Sequence, residues 1–188
     1  MKIHILPALK LTLVTIVLCC IGYTLVILLA AQISPNKAEG QTISVNGVVK
    51  GYILEGQSFT QDKYFNGRPS AAGYNAAGSS GSNKGPTNPD YLKDVQSRVD
   101  SFLVHNPSIK KEAIPSELVT ASGSGLDPDI STIAAQVQIT RIAKIRNLPE
   151  EKIKTLITEK IKKPLLGLFG PERINVLELN IALDQLNL

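Results

Sequence analysis

An α+β fold is the class that this sequence predicts: one N-terminal transmembrane helix followed by a single extracytoplasmic α+β domain. Three observations carry it. Leu11 to Ile33 is an uncharged, predominantly apolar run. Beyond it, short β-branched segments flank Asn46-Gly47 and an alternating segment lies near the end of the chain, while the stretches between repeat apolar residues at helical spacing. Strands and helices show no clear βαβ succession, which favours α+β.

The first element is the anchor. Its 23 residues, at about 1.5 Å each, cover roughly 34 Å, enough for the hydrocarbon core of a bilayer. A cleaved signal peptide is the competing reading: its apolar region is usually about 7–15 residues long and ends in small residues, a place Ala30 and Ala31 could fill. A lipoprotein signal fits less well, because Leu18 or Cys19 stands where a small residue should precede the modified cysteine. Lys2, Lys10 and the amino terminus flank the span on one side, against Lys37 opposed by Glu39 on the other. This bias predicts N-in, C-out, with 1–10 a cytoplasmic tail, 11–33 the transmembrane helix and 34–188 the outer domain. Cys19 and Cys20 both fall in the span and point to different helix faces, so the outer domain has no disulfide and rests on its own core.

That domain is close to electroneutral. Of 20 basic residues, Lys2 and Lys10 belong to the leader, leaving 18 against 16 acidic ones. Nucleic acid, which asks for a clustered basic face, is not an expected partner. Ser34 to Gln41, with Pro35, Asn36 and Gly40, reads as a juxtamembrane connection. Thr42 to Val49 reads as a hairpin about Asn46-Gly47, a dipeptide that tolerates positive φ, and Gly51 to Phe59 could add a strand. Gly67 to Pro89 is rich in Gly, Ser, Asn, Pro and Ala. It is a long loop, either an ordered binding surface or a flexible insertion.

Asn88-Pro89 supplies a cap and a first-turn proline, and Leu92, Val95, Val99, Phe102 and Leu103 then recur at helical spacing up to Asn106-Pro107. Ser131 begins a second helix, with Ile133, Ala134, Val137 and Ile145 expected toward the core and Lys144 and Arg146 near its C-terminus. A third is expected from about Leu148 to Lys163, stopped by Pro164, with Ile153, Leu156, Ile157 and Ile161 on one face. Lys152, Lys154, Lys160, Lys162 and Lys163 decorate the other, as a solvated face or as a contact for lipid headgroups or a partner. Leu177, Leu179, Ile181 and Leu183 alternate with Glu178, Asn180, Ala182 and Asp184, the period of a strand with one buried face.

Motifs for autonomous chemistry fail on spacing. Gly78-Ser79-Ser80-Gly81-Ser82-Asn83-Lys84 has Asn83 where a phosphate-binding loop needs glycine and Gly85 where it needs Ser or Thr. Gly123-Ser124-Gly125-Leu126-Asp127-Pro128 has proline at the third glycine of the dinucleotide fingerprint. Neither serine cluster forms a Gly-x-Ser-x-Gly elbow or a Ser-x-x-Lys dyad. His105 is the outer domain's single histidine and reads as a surface residue at a helix end, so no histidine-based metal site is expected. Asp127 and Asp129 could bind a cation or cap the helix that follows. A membrane-anchored extracytoplasmic serine hydrolase, using Ser82 or Ser122, stands as the alternative function.

The loops carry a further signal: Tyr64-Phe65-Asn66-Gly67-Arg68-Pro69-Ser70, Tyr74-Asn75, Gly81-Ser82-Asn83, Gly85-Pro86-Thr87-Asn88-Pro89, the run Leu118 to Pro128 containing Thr120-Ala121-Ser122-Gly123-Ser124-Gly125-Leu126-Asp127-Pro128, and Arg173 to Asn180. In this order they closely resemble the KdpC family, the C chain of the bacterial potassium-transporting P-type ATPase, across the span and almost the whole domain. Lys84 and Asp129 depart from that pattern. The resemblance implies a non-catalytic subunit of an ATP-driven, high-affinity potassium importer in the bacterial inner membrane. Its implied partners are a channel-like potassium-translocating subunit, a P-type ATPase subunit and a small single-helix subunit, with the lipid bilayer around them. It also implies a role in stabilising the complex and, as a catalytic chaperone, in ATP binding by the ATPase subunit. An association with ATP rests on the resemblance alone, and no directly bound cofactor is expected. The phosphorylation motif Asp-Lys-Thr-Gly-Thr is absent from this sequence, in keeping with chemistry located in another chain. Arg68, Asn83, Thr87, Ser122, Ser124 and Asp127 are the candidate residues for an ordered polar surface against the channel-like subunit; hydrogen bonding within the loops is the other reading for Thr87, Ser122 and Ser124.

Overall fold

The computed structural model describes residues 2–34 and 36–186. Pro35 of the expected connection and the amino terminus used in the orientation argument lie outside the described residues. Two compact units result, one up to Gln41 and one from Thr42 onward.

The first unit is helical. Helix α1 (Lys2–Thr15) and helix α2 (Tyr23–Gln32) are joined through Ile16–Gly22, where the turns widen and the Tyr23 N–H bonds Leu18 O, five residues back. Within Ile3–Gln32 an 18-residue window has a mean hydropathy of 2.7, and none of that window is buried. Its large apolar side chains are 47–85% exposed. So much apolar surface on every face of a helix would be costly in water and is what a lipid-facing helix presents. The Thr15 hydroxyl donates to Leu11 O at 2.6 Å, which satisfies its own proton within the helix. The helix begins well before Leu11 and includes Lys10, so residues 2–10 of the expected tail are helical.

In the second unit, β1 (Thr42–Val45) pairs antiparallel with β2 (Val48–Tyr52), in the register Val45 to Val48 and Thr42 to Tyr52, with a bulge between Ile43 and Ser44. Asn46 and Gly47 both have positive φ, 53° and 76°, the geometry that their sequence promised for the turn. The strand expected over Gly51 to Phe59 is not formed beyond Tyr52. From Ile53 to about Ala72 the chain is irregular, and its backbone groups bond to side chains of the helices instead of to a neighbouring strand.

Helix α3 (Pro89–His105) starts as read: Asn88 Oδ1 accepts from Tyr91 N at 3.1 Å. It buries Val99 and packs Phe102 on the core, while Leu92 stays exposed. After β3 (Asp129–Ile130), the helix expected from Ser131 is two helices, α4 (Thr132–Gln136) and α5 (Ile139–Arg146). The break at Val137 and Gln138 shifts the buried face: Ile139, Ile142 and Ala143 enter the core, whereas Ile133 and Ile145, both expected there, are exposed. Helix α6 (Glu150–Lys160) buries Ile153, Leu156 and Ile157 and ends before Pro164, because Ile161 turns extended and Lys162 pairs with Arg173.

The expected C-terminal strand is a helix. Strand β4 (Ile174–Asn175) pairs antiparallel with β3 and leads directly into α7 (Val176–Gln185). Alternation of leucines suggested a strand, but Val176, Leu179, Asn180 and Leu183 are also one helical stripe and are all buried. Asn175 Oδ1 accepts from Glu178 N at 3.0 Å, an N-cap with an acidic residue at the third helical position. Phe65, Ile130, Ile142, Ile153, Ile174, Leu179 and Leu183 form the centre of one core.

Candidate functional site

Buried amides and one guanidinium hold the irregular segment onto the helices. Asn180 of α7 spans Phe65, accepting from its N–H at 2.8 Å and donating to its C=O at 2.9 Å. Gln138, fully buried at the break between α4 and α5, does the same for Asn66, at 2.8 and 3.1 Å. Arg141 of α5 donates to Asn106 Oδ1, Asn66 Oδ1, Gln138 Oε1 and the carbonyls of Asp62 and Tyr64. Burial pulls its pKa below the usual arginine value, opposed by the Asp62 carboxylate. Sequence reasoning missed this network. Its one legible cue was Arg141 itself, which sits on the apolar stripe four residues from both Val137 and Ile145.

On this base stands a platform of loops. Arg68 Nη1 pairs with Asp127 Oδ2 at 2.8 Å, and Tyr74 OH donates to Arg68 O at 2.5 Å. Burial, then the Asp127 charge, pushes the Tyr74 hydroxyl pKa up. Ser70 Oγ donates to Gly125 O and accepts from Tyr74 N, Ser79 Oγ donates to Ser124 O, and Ser122 N donates to Pro69 O. Ser122 is buried, with Oγ accepting from Gly125 N at 2.9 Å; Ser124 Oγ accepts from Leu126 N at 3.1 Å. These are turn-forming bonds within the loops. Gly125 has φ +71°, and a Cβ there would lie 2.6 Å from Ser80 O, so only glycine lets the two loops close.

Four of the six sequence candidates therefore meet in one cluster: Arg68, Ser122, Ser124 and Asp127. Asn83 and Thr87 do not join it through any hydrogen bond among the described residues; both are exposed on the continuing loop. There Lys84 reaches back to Asp94 of α3 at 3.0 Å. Neither aspartate caps a helix as expected. Ser131 Oγ caps α4 by accepting from Ala134 N, while Asp127 holds Arg68 and Asp129 pairs with Arg173 Nε at 3.2 Å. The long Gly67 to Pro89 loop is thus stitched to the rest of the domain by named bonds.

Nucleophilic chemistry finds little support in this geometry. His105 bonds the carboxylate of Asp62 at 2.8 Å, on a cleft of about 460 Å³ also lined by Arg98, Phe102 and Asn106. No serine hydroxyl bonds His105 among the described residues, and Ser122 is sealed within its own turn. Among the described residues no three His, Cys, Asp or Glu side chains gather at metal-binding distances.

Comparison with known proteins gives one consistent answer. Residues 5–185 match the family model described as the K+-transporting ATPase, c chain. Potassium-transporting ATPase KdpC subunits of Flavobacterium psychrophilum and Bacteroides fragilis are 55% and 48% identical, each over 97% of this chain and 98% or 97% of their own length. The subunit of Caldanaerobacter subterraneus is 44% identical over 93% of this chain and 91% of its own. On that coverage, the chain belongs to the KdpC family.

Proposed function

We propose that the chain is a membrane-anchored, non-catalytic accessory subunit of an ATP-driven potassium uptake complex, and that its domain stabilises the assembly by docking on the channel-like subunit. Family membership over nearly the full length is the observation that carries this reading. The apolar helix Ile3–Gln32 supports the anchor. The stitched platform around Arg68, Ser122, Ser124 and Asp127, with Asn83 and Thr87 exposed beside it, supports a rigid polar docking surface. Rigidity lowers the entropy lost on association.

The lysine bias supports an extracytoplasmic domain, whereas ATP is cytoplasmic. An effect on nucleotide binding by the ATPase subunit would then be indirect, passing through the N-terminal helix by its packing among the other spans. Deleting the gene for this chain tests the proposal: the remaining pump subunits should dissociate in mild detergent and lose potassium-stimulated ATPase activity. A stable, fully active pump without the chain would refute it. The serine hydrolase alternative predicts labelling of Ser82 or Ser122 by an activity-based serine probe, and the turn that closes over Ser122 speaks against it.

A further inference from the structure

Between Lys162 and Arg173 the chain makes an excursion that neither the core nor the loop platform uses. Lys162 and Arg173 exchange backbone hydrogen bonds at 2.8 and 3.1 Å, and Leu165 and Phe169 exchange theirs at 3.0 Å each. Leu166 and Gly167, with φ of 55° and 73°, turn the tip. No charged or polar side chain occurs from Pro164 to Pro171. Four large apolar side chains stand out from this tip: Leu165 is 70% exposed, Leu166 81%, Leu168 82% and Phe169 64%. Such a cluster is costly in water and marks a contact.

Behind the tip lie Lys160, Lys162, Lys163 and Arg173, together with the exposed Glu172. Lys162 pairs with Glu178 at 2.6 Å and Arg173 with Asp129 at 3.2 Å. Lys160 and Lys163 take part in no ion pair among the described residues. An apolar tip with ammonium groups behind it matches the depth profile of a bilayer surface, where apolar side chains reach the acyl boundary and lysines stay with the phosphates. A protein partner would ordinarily be fixed by polar groups beside the apolar contact, and this tip offers no polar side chain. The tether supports the same occupant: Ile33 to Gln41, nine residues, extend to about 30 Å at most and confine the domain to the neighbourhood of the membrane.

We propose that residues 164–170 form a lipid-contacting wedge, seating Leu165, Leu166, Leu168 and Phe169 in the interfacial layer of the bilayer that the N-terminal helix crosses. The inference rests on that helix being inserted, and its test separates the two. The chain contains no tryptophan, so a single introduced one reports its own surroundings. Full-length Phe169→Trp, Val26→Trp and Val104→Trp would each be reconstituted in phosphatidylcholine and phosphatidylglycerol vesicles with and without brominated lipid. Val26 lies in the span and Val104 is exposed on α3. Phe169→Trp should show blue-shifted emission and at least twofold quenching, Val104→Trp neither. Adding Leu166→Glu and Leu168→Glu should abolish the quenching at Trp without changing the circular dichroism. Quenching at Val26→Trp with none at Phe169→Trp would overturn the wedge alone. An unquenched Val26→Trp would overturn the membrane placement and the wedge with it. Shielding of Phe169→Trp only after the other pump subunits are added would overturn it in favour of a protein contact.

Discussion

Replacing Asn180 with alanine removes the clamp that fastens Phe65, and the structure fixes how much this should cost. Asn180 is 2% exposed and Phe65 fully buried, so water cannot replace the two bonds of 2.8 and 2.9 Å that the amide makes. Each backbone group left unsatisfied costs about 1–3 kcal/mol, which gives about 4 kcal/mol for the pair. At roughly 2–4 °C per kcal/mol for a domain of this size, the melting temperature should fall by about 12 °C. The full-length protein in detergent would be followed by urea unfolding, together with amide exchange over the peptide containing Phe65. Protection there should drop along with stability. A loss below about 1 kcal/mol, with Phe65 still protected, would refute the idea that buried amides replace strand pairing in holding this segment.

Other predictions follow from single contacts. Ala182→Glu distinguishes the helix from the expected strand: the alternating pattern puts residue 182 on the solvent face, but α7 buries it to 8% exposure, so urea titration should show a loss of about 3 kcal/mol or more. Gly125→Ala should destabilise the domain by about 1–3 kcal/mol, since its φ and the approach of Ser80 O both forbid a side chain. Arg68→Ala and Asp127→Ala should each cost about 1 kcal/mol in thermal melts and combine non-additively, because they remove the same ion pair. Arg68→Ala should also weaken assembly in a pull-down of the pump subunits without unfolding the domain. Burial raises the pKa of Asp129, against the pull of Arg173. The folded state then holds this proton to higher pH than the unfolded chain, and the associated stability is lost as pH rises from about 3.8 through the raised value. Asp129→Asn should remove that component of an acid-range stability profile.

The parts of this fold that were legible in sequence are those with local causes. Asn46-Gly47 dictates a turn through its own backbone, and Asn88-Pro89 a helix start through its own cap. The apolar stripe of α6 needs no distant partner to be read. The C-terminal helix was misread because leucines at every second position satisfy both periods, and only the spacing of Asn175 and Glu178 distinguishes them. Ile133 and Ile145 were misplaced because a single helix was assumed across Gln138, whose amide turns inward to bond Asn66. The course of the irregular segment after Tyr52 was not legible, since the side chains that hold it are more than seventy residues away. The candidate site was half legible: the unusual Thr120 to Pro128 run and Arg68 were singled out and do meet, but the serines close turns, and Arg68 already has its carboxylate in Asp127.

Membership in the KdpC family leaves the assembly itself as the claim to measure. The mass of the particle extracted in mild detergent from cells expressing this chain, obtained by native mass spectrometry, tests it most directly. The account predicts one copy or more of this chain in a particle that also contains the channel-like and ATPase subunits, with a lower mass when Arg68 and Asp127 are both replaced by alanine. Recovery of the chain on its own, alongside an intact pump particle that lacks it, would contradict the account.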